Sequence, residues 1–60
     1  MTPPAHYRIE RRQKGERGWR HVVSLSTRQP VERVKVYAAG FRRREGWPHG
    51  TLIRVVREEE

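Results

Sequence analysis

The 60-residue chain contains no cysteine, no aspartate and no asparagine. Without cysteine, neither a disulfide framework nor a thiolate zinc site can support a small core, so packing or a partner must do so. Without aspartate, the acid-base pairs and triads that combine a histidine with an aspartate are unavailable. No run approaches the roughly 20 apolar residues that cross a bilayer, and the first residues, Met-Thr-Pro-Pro-Ala-His, are neither basic nor followed by an apolar secretory segment. The expectation is a cytoplasmic protein with no membrane partner. Apolar residues are also scarce, at 33% against 35% charged, and the mean hydropathy is −1.05. That balance borders on disorder, but Tyr7, Trp19, Tyr37, Phe41, Trp47 and the Val and Ile residues are spaced for burial. A chain this short buries only about 60% of its unfolded surface, which leaves room for one thin core.

What is abundant is arginine. The formal net charge is +7 and the pI about 11.3, a field that draws the chain toward anionic partners. The basic residues are nearly all Arg, with Lys14 and Lys35 the exceptions, and every acid is Glu. A GC-rich coding sequence produces the same bias without selection for binding, so the distribution of Arg carries more information than its amount.

The first five residues, with Pro3 beside Pro4, read as a flexible N-terminal arm. Residues 6–57 read as one domain and residues 58–60 as an acidic, frayed end. Tyr7, Ile9 and Arg11 alternate with Arg8, Glu10 and Arg12, the period of a half-buried strand. Gly15 and Gly18 supply a hairpin connection, and a second strand runs from Trp19 to about Ser26, with Trp19, His21, Val23 and Leu25 on one face and Val22 on the other. Pro30 and Glu32 mark a helix start. At 100° per residue, Val31, Val34, Tyr37, Ala38 and Phe41 fall in a stripe of about 120°, the core face. Gly46, Pro48 and Gly50 end the helix, and Thr51 to about Arg57 form a third strand, with Ile53 and Val55 opposed to Leu52 and Val56.

The order strand, strand, helix, strand predicts an α+β fold, a small ββαβ domain. A right-handed crossover places the third strand beside the first, giving a three-stranded antiparallel sheet of order 2-1-3 with one helix packed on one face. The order 1-2-3 would require a direct parallel pair, which makes it the lesser choice.

The inventory of reactive groups is poor. His6, His21 and His49 are scattered, Ser24 and Ser26 lack a nucleophile-elbow glycine pattern, and the glycines match no phosphate-loop or dinucleotide fingerprint. The chain reads as non-enzymatic, with no metal and no cofactor; His21 is expected half-buried in its strand and the other two histidines solvated in loops.

Two basic clusters stand out. Arg8, Arg11, Arg12, Lys14, Arg17 and Arg20 fall in the first hairpin against only Glu10 and Glu16, and Arg42, Arg43 and Arg44 end the helix beside Trp47. Guanidinium groups take phosphates bidentately, and Arg8, Arg12 and Arg20 on one solvent face would present a phosphate-binding surface. The bland counterpart is a solvated face with pairs such as Arg8 or Arg12 with Glu10. Trp19 and Trp47 are candidates to stack on bases or anchor an interface, against a reading in which Trp47 folds back over Phe41 to close the core. Three functional expectations follow: a small basic module contacting nucleic acid or a ribonucleoprotein; a phage-type protein-binding regulator or inhibitor that docks on an acidic surface of a host complex through an uncovered sheet face; and homodimerisation through a sheet edge.

Overall fold

A computed structural model of the chain describes residues 3–58. Strand β1 spans Ala5–Arg12, β2 Arg20–Thr27, α1 Val31–Glu45 and β3 Leu52–Glu58. The sheet has order β2-β1-β3, both pairings antiparallel, with α1 on one face, as the ββαβ pattern predicts. Strand boundaries shift by a residue. β1 starts at Ala5 because Ala5 pairs with Thr27, and β3 runs on to Glu58 because Glu58 pairs with His6, so Ala5 belongs to the sheet rather than to the arm and Glu58 to the sheet rather than to the acidic end. The rest of those two expectations, at residues 1–2 and 59–60, lies outside the described residues.

The central strand supplies the core. Ile9 is 0% exposed and Tyr7 nearly so, and their cross-strand partners Val23, Leu25 and Val55 extend the same face. Burying a side chain such as Ile9 contributes about 1.5–3 kcal/mol. Val34 and Ala38, one turn apart on α1, close the core from above. The predicted helical stripe is narrower than its sequence suggests. Val31 and Phe41 are half-buried and Tyr37 is 43% exposed, because the helix lies nearest β3 and leaves the β2 side of its stripe open.

One irregularity rearranges a face. Ile9 pairs with Val23 but Glu10 pairs with His21, so Val22 is the extra residue of a β-bulge. Beyond it the period of two is reset. His21 therefore shares the helix-free face with Glu10 and is exposed rather than half-buried, and Arg20, paired with Arg11, belongs to the helix side.

The helix starts after Pro30, whose carbonyl accepts from Arg33 N–H at 2.9 Å, and ends in a Schellman turn. Gly46 takes φ +66°, its N–H donates to Arg43 O, and Trp47 N–H donates to Arg42 O at 3.0 Å. Thr51, 1% exposed, begins the return into β3, its N–H bonded to Pro48 O at 3.0 Å.

Candidate functional site

Topology brings the two basic clusters to one end. β1 ends at Arg12, β2 begins at Arg20, and β3, antiparallel to β1, begins at Leu52 opposite Arg12. A helix that feeds β3 must end there too. The Schellman turn then aims Trp47 back along the helix, where it stacks on Phe41 with ring centroids 6.0 Å apart and planes at 14°. On Trp47 sits the guanidinium of Arg11, 5.0 Å from the ring centroid. The fold-back reading of Trp47 is the one the geometry takes, and the same residue joins hairpin to helix end.

The arginines of this end fall into two groups. Some are committed to the fold: Arg42 Nη2 donates to Thr51 O, and Arg44 lies 4.6 Å from the Phe41 ring centroid and 4.9 Å from that of Tyr37 while donating to Tyr37 O. Arg20 Nε donates to Glu16 Oε2, and Glu16 Oε1 accepts from Gln13 N–H at 2.9 Å, so one carboxylate closes the hairpin turn. The Gln13 amide first, then Arg20, hold the Glu16 carboxyl below its ordinary value. Gly15, at φ +91°, stands at the third position of that turn, where Glu16 N–H donates to Gln13 O. The others are uncommitted. Arg12, Lys14, Arg17 and Arg43 are exposed, and among the described residues no acidic side chain lies within ion-pair distance of them.

Two expected site residues, Arg20 and Trp19, lie on the face opposite to the one expected, and a third, Arg8, keeps its face but is paired. Arg8, Arg12 and Arg20 do not form one solvent face: the bulge sends Arg20 to the helix side, where Glu16 holds it, and Arg8 is drawn to Glu10. Arg8 Nε lies 3.2 Å from Glu10 Oε2 without hydrogen-bond alignment, and Arg8 Nη1 lies 3.7 Å from Glu58 Oε1. Trp19 lies at the hairpin but on the helix-free face, under the guanidinium of Arg54 at 4.3 Å, so the two tryptophans do not form one platform.

Arg54 was not among the sequence candidates. Its Nε and Nη2 both reach Glu10 Oε1 at 2.7 Å, so Glu10, 8% exposed, is held by one arginine on each oxygen. Of the pairs expected for Glu10, Arg8 forms and Arg12 does not; the register Glu10 to Arg54 across β3 is the signal that only topology could supply. His6 Nδ1 and Ser26 Oγ, 2.6 Å apart, and His21 Nε2 and Ser24 Oγ, 2.9 Å apart, complete this face. His6 is a strand residue rather than a loop group, since β1 begins before it. Among the described residues, no three His, Cys, Asp or Glu side chains are grouped to hold a metal ion, and no helix is long and apolar enough to cross a membrane. No protein-family model, curated protein or solved structure matches the chain.

Proposed function

We propose that the chain is a non-enzymatic, cytoplasmic basic module that binds nucleic acid through its phosphates, using the end where the hairpin loop meets the helix C-terminus. The observation that carries this reading is the Arg11–Trp47 contact, which joins the two basic clusters at one end of the domain, where Arg12, Lys14, Arg17 and Arg43 are exposed and, among the described residues, without acidic partners. Phosphate contacts from such groups position a protein on a backbone without reading sequence, so duplex and single strands should both bind. Trp47, which stacks on Phe41 and carries Arg11 over its ring, is read as a support of this end of the domain rather than as a residue that stacks on a base. The test is binding of labelled mixed-sequence duplex, single-stranded DNA and RNA at about 50 mM salt, where counterion release favours association. Failure of all three to bind removes the proposal.

A second reading, a small protein-binding regulator, is favoured by Leu52, 55% exposed at the register opposite Arg12 on the helix-free face that also carries Trp19. An apolar residue with Arg12 opposite it and Arg54 two residues along on the same face suits an acidic protein surface with an apolar centre. Leu52→Glu separates the readings: it abolishes capture of a protein partner from nuclease-treated lysate, while nucleic-acid affinity falls only as far as one added negative charge requires.

A further inference from the structure

We propose that two copies of this chain associate through the β2 edge, pairing β2 antiparallel with its own copy about a two-fold axis at Leu25. Both β2 and β3 are sheet edges, and an edge presents a row of unpaired backbone groups. They differ in charge. β3 carries Arg54, Arg57 and Glu58, whereas β2 has no formally charged residue from His21 to Thr27. For a chain of net charge +7, copies can approach closely only where like charges are absent, and β2 is the strand that meets this condition.

The register follows from self-complementarity. Centring the axis on Leu25 sets Val23 opposite Thr27 of the copy and Ser24 opposite Ser26. Arg20 and the Val22 bulge then fall beside the neighbour's Pro30 and Arg28, outside the paired segment, so the bulge does not block it. An axis normal to the sheet puts both helices on the same side. Each copy has an open, mostly apolar groove between α1 and β2, lined by Leu25, Thr27, Gln29, Arg33, Val34 and Tyr37, and the two grooves would face one another, with the exposed Arg33 as the one charge to be kept in solvent. This accounts for the exposure of Tyr37, a core-pattern residue left uncovered by a helix that lies nearest β3. A thin core with no disulfide gains apolar burial from such a joint.

The test needs no nucleic acid and is run on nuclease-treated protein at about 0.5 M salt, where surface repulsion is screened. Sedimentation equilibrium of the full chain should show mass rising with concentration from 7.2 kDa toward twice that value. In Leu25→Cys, the sole thiol meets its own copy at a Cα spacing of about 4.5–5.5 Å, within disulfide reach. It should cross-link under mild oxidation on the order of tenfold faster than Leu52→Cys on the opposite edge, since pairing raises its effective concentration. A wild-type mass of 7.2 kDa at all concentrations overturns the proposal, as does cross-linking of Leu52→Cys at the rate of Leu25→Cys.

Discussion

The Arg11 guanidinium lies 5.0 Å from the centre of the Trp47 ring, and this contact ties the end of the first strand to the segment that follows the helix. It depends on a glycine. Trp47 can turn back onto Phe41 only because Gly46 takes φ +66°, a left-handed conformation that costs a side chain about 1–2 kcal/mol. A Cβ at Gly46 would meet no neighbouring atom within 4 Å, so the penalty is conformational alone. Gly46→Ala should therefore lower unfolding free energy by about 1 kcal/mol in urea denaturation. Wild-type stability in this variant would contradict the assigned cap.

Thr51 is buried with its Oγ1 lacking any hydrogen-bond partner among the described residues. A buried unpaired hydroxyl is unfavourable, and a methyl fills the same space. Thr51→Val is expected to stabilise the chain by about 1 kcal/mol. A drop in stability would show that the hydroxyl is satisfied after all.

Glu10 compensates two arginines on the helix-free face. Its removal leaves Arg8 and Arg54 facing one another in a chain already rich in positive charge. Because the side chains of Arg8 and Arg54 are 40% and 44% exposed and can be solvated, Glu10→Ala should cost about 1 kcal/mol, and Glu10→Gln should recover part of this through packing alone. Chemical denaturation of both variants checks the order.

Glu16 gives a pH signature. Its carboxyl is held below the ordinary value by the Gln13 amide and by Arg20, so the turn's stabilisation is complete above the unfolded value of 4.5 and is lost as pH falls through the lower folded value. The Gln13 amide proton, followed by NMR, should titrate with a midpoint below 4.5. A midpoint at or above it contradicts the turn geometry.

The fold was largely legible because its signals are local. The alternation around Tyr7 and Ile9, Pro30 before the helix and Gly46 after it each act within a few residues, and the crossover rule then fixes the sheet order. The site was legible in composition but not in arrangement. The Val22-Val23 doublet is the only trace of the bulge, and nothing local says which strand absorbs it, so Arg20 and His21 exchange the faces expected of them. The Glu10–Arg54 pair joins residues 44 apart in sequence and depends on β3 lying next to β1. The helical stripe over-counted Tyr37 because periodicity gives the apolar face of a helix, whereas the sheet decides how much of it is covered.

The most direct test of the nucleic-acid reading is the slope of log Kobs against log salt for a mixed-sequence duplex. It should be measured for the wild type, for a variant with Arg12, Lys14, Arg17 and Arg43 all changed to Gln, and for Arg20→Gln, a residue already held by Glu16. The account predicts that the fourfold variant flattens the slope by about one for each phosphate it no longer neutralises, while Arg20→Gln changes it little. Equal slopes for the wild type and the fourfold variant would contradict it.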